Sequence, residues 1–145
     1  MNPTTLCLRR VLDADITRVF EAWSRAELIA LWFGCESSSR TKVTNDFRVG
    51  GAYRVVMSSG AGTVGIAFGE YREIEPPHRL VFTWSSESRV RVAKSVVTIE
   101  LKALGPRTEL TLTHDIPLDT EEGRAHARGW EASMTSLARY LGSES

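Results

Sequence analysis

Across residues 119–141 the apolar side chains of Trp130, Met134, Leu137 and Leu141 recur at three- and four-residue spacing, with His126 and Ser133 on the same side. That period predicts one long amphipathic helix. From Lys42 to His114 the pattern changes to short alternating runs separated by turn residues, which predicts strands. A single long helix after a series of strands has an obvious packing partner, the concave face of a curved antiparallel sheet. The space between helix and sheet is then the natural place to hold a ligand.

Residues 4–12 alternate, with Leu6, Leu8 and Leu12 of one parity, and predict a strand with one buried face. Asp13 and Asp15 offer N-caps to a short helix carrying Ile16, Val19, Phe20 and Trp23. Ser24-Arg25-Ala26-Glu27 reads as a capping box that opens a second short helix through Leu28, Ile29, Leu31 and Trp32, ended by Gly34. Two short helices hinged at a serine make a V able to close one end of a sheet. Further strands are predicted over residues 41–47, 52–58, 63–74, 79–85, 95–103 and 107–115. Gly50-Gly51, residues 59–62, Glu75-Pro76-Pro77-His78 and Gly105-Pro106 supply the turns. Gly65 and Gly69, inside one strand, suggest bulges or tight bends. Pro117 ends the last strand, and Asp119 or Thr120 can cap the long helix. The strands pair sequentially, and the first joins one edge of the meander. The expectation is a single α+β domain over residues 1–141, a strongly bent seven-stranded sheet around the C-terminal helix, with residues 142–145 as a disordered tail.

The 145 residues suffice for one domain with a real core. Eighteen acidic residues balance eighteen basic ones, which argues against a nucleic-acid binder that neutralises phosphates and gives no reason to expect an anionic membrane surface as partner. The N-terminus lacks the charged-then-apolar layout of a signal peptide, and no apolar run approaches spanning length. Cys7 and Cys35 form no CxxC pair and read as two reduced thiols in a cytoplasmic protein.

Several stretches carry a family resemblance. They are residues 19–23 (Val-Phe-Glu-Ala-Trp), 31–34 (Leu-Trp-Phe-Gly), 46–53, 69–84, 95–99 and 108–114, then Gly129-Trp130 with Leu137, Tyr140 and Leu141. In this order the chain resembles the activator of heat-shock-protein-90 ATPase homologue family, within the START and birch-pollen-allergen superfamily. One departure is Asp15 after Ala14, where members often carry proline; an acidic residue suits a helix N-terminus. The resemblance implies the helix-grip fold and an elongated, mostly apolar cavity between long helix and sheet. It leaves function open, because relatives include a co-chaperone domain, lipid carriers, hormone receptors and polyketide cyclases. The co-chaperone resembles this chain only in its C-terminal part, which weakens an inference of chaperone activation.

His114 shares the parity of Leu110 and Leu112. It reads either as a cavity hydrogen-bond donor or general base, or as a strand-end histidine bonded to backbone; no partner acid is fixed by sequence. His126 falls at a cavity mouth or at the helix rim, and His78 in a solvated loop. The three histidines lack metal-ligand spacing, and neither a GxSxG elbow nor a phosphate loop is present, so no cofactor or metal is expected. Arg89, Arg91 and Lys94 mark a basic hairpin tip, either solvated or a docking patch for an acidic partner.

Pockets for small molecules are mostly apolar with a few placed polar groups. The expected lining is Trp32, Phe33, Tyr53, Met57, Phe68, Trp84, His114, Trp130 and Met134, with Trp32-Phe33 at the entrance. The function expected first is reversible binding of a small hydrophobic molecule. The alternatives are a polyketide-cyclase-like enzyme, with His114 the candidate catalytic residue, and a co-chaperone-like protein-binding module. Homodimerisation through a sheet edge stays open.

Overall fold

The structure, a computed structural model, describes residues 5–33, 40–59, 62–87, 92–117 and 119–143. Strand β1 (Thr5–Leu12) buries Leu6 and Leu12 and exposes Cys7, Arg9 and Val11, as its alternation requires. The Asp15 carboxylate then accepts from the Arg18 amide at 3.0 Å and starts α1 (Ile16–Ser24). Helix α1 buries Val19, Phe20, Ala22 and Trp23 on one side.

The expected capping box at Ser24 does not form. Ser24 is still helical, so its hydroxyl bonds back to the Glu21 carbonyl at 3.1 Å, and Glu27 pairs with Arg25. Arg25 takes the N-cap position of α2 (Ala26–Trp32) without a side-chain cap. The V of two short helices is nonetheless present, and Trp32 locks it by donating its indole N–H to the Ala22 carbonyl at 3.0 Å. Gly34, the expected end of α2, lies outside the described residues.

Six strands follow: β2 (Arg40–Asn45), β3 (Ala52–Ser59), β4 (Gly62–Glu75), β5 (Arg79–Glu87), β6 (Val92–Leu104) and β7 (Arg107–Pro117). With β1 they form one antiparallel seven-stranded sheet in the order β1-β7-β6-β5-β4-β3-β2. The first strand therefore joins the β7 edge, and β1 and β2 are the two free edges. In the β2–β3 connection Gly50 has φ +86°, and a Cβ on Gly51 would lie 1.9 Å from the Asp46 carbonyl oxygen. Glycine is needed at both positions.

Irregularities in β4 bend the sheet. Its register with β3 shifts beside Gly65, and its register with β5 shifts after Tyr71. Gly69 is a close approach: a Cβ there would meet the Thr83 carbonyl oxygen at 2.1 Å. The Tyr53 side chain, on the strand neighbour opposite Gly69, reaches across it to donate to that same carbonyl at 2.6 Å. The Glu70 amide bonds to the Thr83 hydroxyl at 2.9 Å.

Helix α3 (Glu121–Ser143) is capped by Thr120, whose hydroxyl accepts from the Gly123 amide at 3.0 Å. It packs against α2, β1 and β7. Trp130, Met134, Leu137 and Leu141 are buried, as their spacing predicts. The helix runs two residues beyond Leu141; Glu144 and Ser145 of the expected tail lie outside the described residues. An Arg18 guanidinium N–H donates to the Leu141 carbonyl at 2.9 Å, tying α1 to the last turn of α3, where carbonyls lack helical partners.

Candidate functional site

The helical V, the inner face of β3–β5 and the middle of α3 meet in a group of large rings. Trp23 from α1 and Trp32 from α2 contact edge-on at 4.7 Å between centroids. Phe33 stacks on Trp84 of β5 at 5.9 Å and meets Trp130 of α3 edge-on at 5.5 Å. Trp84 and Trp130 lie 5.1 Å apart. Farther along the sheet, Tyr53 packs against Phe82 at 5.5 Å and Tyr71 at 5.6 Å. Burial holds the Tyr53 phenol well above its usual range and raises that of Tyr71, so both stay neutral.

These rings surround a void of about 30 Å³, lined by Trp23, Ile29, Trp32, Phe33, Val43, Tyr53, Val55, Tyr71, Leu80, Phe82 and Trp84. Among the described residues this void has the volume of a water molecule or so, because aromatic side chains from five elements pack around it. Two buried donors stand out on residues that line this void. Among the described residues, neither Trp23 Nε1–H nor Trp84 Nε1–H has a hydrogen-bond acceptor. Asn45 donates to the Tyr71 hydroxyl at 3.1 Å, and the Tyr53 and Trp32 donors are paired as described above.

A second polar feature runs behind the rings. His114 is fully buried. Trp130 Nε1 bonds to its Nδ1 at 3.1 Å, and its Nε2 lies 2.8 Å from the Ser95 hydroxyl, which reaches the Trp84 carbonyl at 3.0 Å. An indole N–H can only donate and a carbonyl can only accept, so the direction of the chain is fixed. Trp130 donates to Nδ1, the Nε2–H of a neutral imidazole donates to Ser95, and Ser95 donates to Trp84. Burial first, and the nearby His126 second, push the pKa of His114 down to about 3. His114 is therefore not bonded to backbone: tertiary structure brings two side chains to it instead. Both ring nitrogens are engaged, and among the described residues no acid bonds to them, so the ring is a poor general base.

His126 is half-buried at the helix rim, its ring 5.8 Å from that of His114. Its Nδ1 donates to the Glu122 carbonyl at 3.0 Å, and its Nε2 faces the Ser86 hydroxyl at 3.3 Å. Burial lowers its pKa, opposed by the Glu122 carbonyl bond.

Of the residues expected to line a cavity, Trp32, Phe33, Tyr53 and Trp84 border the void. Trp130 touches the ring group but lies outside the lining, and Met134 is fully buried core. Met57 is on the inner face, partly buried against the core. Phe68 is misplaced by the sequence reading. Its neighbours Ala67 and Gly69 point inward, so strand alternation sends Phe68 to the opposite face. There it is 38% exposed, in an open outer groove of about 620 Å³ with Arg54, Glu70 and Lys94. Trp23, one of the large aromatics suited to line a pocket, also borders the void, as do Tyr71 and Phe82, which the sequence does not single out. Phe82 shares parity with Trp84 and was recoverable, whereas Tyr71 adjoins the register shift in β4 that obscures alternation. Of the basic hairpin tip, Arg89 and Arg91 lie outside the described residues, and Lys94 is exposed. No helix among the described residues is long and apolar enough to cross a membrane.

Comparison with known proteins places these features in a wider set. A family model described as Activator of Hsp90 ATPase homolog 1-like protein matches residues 13–142. A protein of known structure from Chromobacterium violaceum is 27% identical with a TM-score of 0.79, over 94% of this chain and 96% of that one. The AHSA1 protein of Silicibacter pomeroyi is also 27% identical, with a TM-score of 0.81, over 98% of this chain and 100% of that one. DynU16, a protein of the dynemicin biosynthetic locus, is 25% identical with a TM-score of 0.75, over 95% of this chain but 47% of its own length. No curated protein matches the sequence.

Proposed function

The chain belongs to the Activator of Hsp90 ATPase homolog 1-like family, and from that premise we propose that it reversibly binds a small, largely apolar molecule between the helical V and the sheet. The observation that carries this reading is the aromatic-lined void together with the nature of its outer wall. The inner wall is rigid core, whereas the outer wall is α2 and β2. Helix α2 has seven residues and buries two of them, Ile29 and Trp32. Strand β2 is an edge strand without a fully buried residue. Elements with so little burial open at low free-energy cost. A ligand enters past Phe33, half-buried at the end of α2 and one of the rings that line the void, and the gap it fills is already apolar. Removing about 200 Å² of ligand surface from water contributes about 5 kcal/mol at about 25 cal/mol per Å², which sets an upper bound before the cost of opening is subtracted.

An enzyme of the cyclase type is the second reading, and the likeness to DynU16, a protein of a biosynthetic locus, keeps a biosynthetic role in view. In that reading His114 is a scaffold rather than the base, because its lone pair already accepts from Trp130.

Native mass spectrometry of the purified protein, with extraction and identification of any bound molecule, tests the binding reading. A stoichiometric apolar passenger supports it. An empty protein whose melting temperature is unmoved by a panel of one- and two-ring aromatic compounds contradicts it.

A further inference from the structure

We infer that the ligand is a neutral apolar molecule bearing a hydrogen-bond acceptor oxygen, such as an aromatic ketone, whose oxygen is held by the indole N–H groups of Trp23 and Trp84. This inference rests on the binding reading above and adds the chemistry of the ligand. Buried donors are nearly always paired in folded proteins, because an unpaired one forfeits its hydration without return. Here two such donors belong to residues, 4% and 5% exposed, that line the same void. Their companions Trp32 and Trp130 are paired, with Ala22 and His114. The pocket thus has donors to spare. It complements a molecule with acceptors and no donors. Among the described residues no charged side chain lines the void, so a carboxylate would be buried without a counter-charge, which is far more costly than burying a carbonyl. Flat rings suit the stacked and edge-on arrangement of Phe33, Trp84, Trp23 and Trp32. The void itself has room for one water, and a water accepting from both indoles is the competing occupant.

The test compares two probes of one scaffold, indane and 1-indanone, which differ by a carbonyl oxygen. Affinities are measured by titration of ¹⁵N-labelled protein, following the indole N–H signals of the four tryptophans. The expected result is that 1-indanone binds at least tenfold more tightly than indane. On binding, the Trp23 and Trp84 indole protons move downfield, while those of Trp32 and Trp130 move little. Trp23→Phe and Trp84→Phe keep a ring and remove the donor, and each reduces the preference for the ketone. If a variant fails to fold, the indole shifts of the wild-type protein still decide. Equal affinities for the two probes, with shifts at the pocket, overturn the acceptor inference and leave the binding reading standing. Binding of neither probe, with both indole protons showing exchange with a long-lived buried water, overturns both.

Discussion

Lowering the pH from 7 to 4 destabilises this protein in a way that is traceable to one side chain. His114 in the unfolded chain takes up a proton near its ordinary pKa of 6.5, and in the folded protein only near about 3. Between those values the unfolded state binds the extra proton, so stability falls as pH falls. The contribution is intact above pH 6.5 and lost progressively down to pH 3. For one group with these two values the loss is about 2 kcal/mol at pH 5 and about 3 kcal/mol at pH 4, a limiting slope of about 1.4 kcal/mol per pH unit. Against a total stability of about 5–15 kcal/mol, that is a large share. The cause is burial first and the nearby His126 second, and the geometry agrees with it. A second proton would have to sit on Nδ1, where the Trp130 N–H already points at 3.1 Å. The assay is urea unfolding at pH 7, 6, 5 and 4 on the wild type and on His114→Gln, which does not titrate in this range. The carboxylates are common to both proteins and cancel in the difference, whereas His126, coupled to His114, is followed in both through its own ring protons. The gap between the two stabilities should close by about 3 kcal/mol between pH 7 and pH 4. Parallel pH profiles, or His114 ring protons titrating near 6.5 in the folded protein, would refute the reasoning.

Other substitutions separate the parts of the account. Trp130→Phe keeps the ring and removes the donor to His114, and leaving Nδ1 buried without a partner should cost about 1–3 kcal/mol in urea unfolding. Gly69→Ala should destabilise by more than about 3 kcal/mol, since a Cβ would meet the Thr83 carbonyl oxygen at 2.1 Å. Gly129→Ala, in α3 with nothing within 4 Å of the new Cβ, should instead stabilise by about 1 kcal/mol. Phe33→Ala should weaken binding of 1-indanone about tenfold, while Phe68→Ser on the opposite face leaves it within about twofold, because only Phe33 borders the void.

The fold was legible because its main signals are periodic. Trp130, Met134, Leu137 and Leu141 announced α3, and the parity of Leu80, Phe82 and Trp84 or of Leu110, Leu112 and His114 announced core faces. Errors came where a local motif met a longer-range fact. Ser24 and Glu27 have capping-box spacing, but α1 runs through Ser24 and takes its hydroxyl. Phe68 is as large and apolar as its inward neighbours on other strands, and only its one-residue offset from Ala67 sends it outside. His114 was placed on the right face, yet its partners Ser95 and Trp130 come from β6 and α3, and no spacing in the sequence joins those three. The narrowness of the void among the described residues was equally hidden. It depends on how far Phe33, Trp84 and Trp130 reach toward one another, which is a matter of packing rather than pattern.

The most direct test of ligand binding in the aromatic pocket is chemical-shift mapping of the ¹⁵N-labelled protein with saturating 1-indanone. Perturbations are expected on the indole signals of Trp23 and Trp84 and on the backbone signals of Trp23, Trp32, Phe33, Val43 and Trp84, the residues around the void. Perturbations confined to Arg54, Phe68 and Lys94 in the outer groove, or none at all, would contradict it.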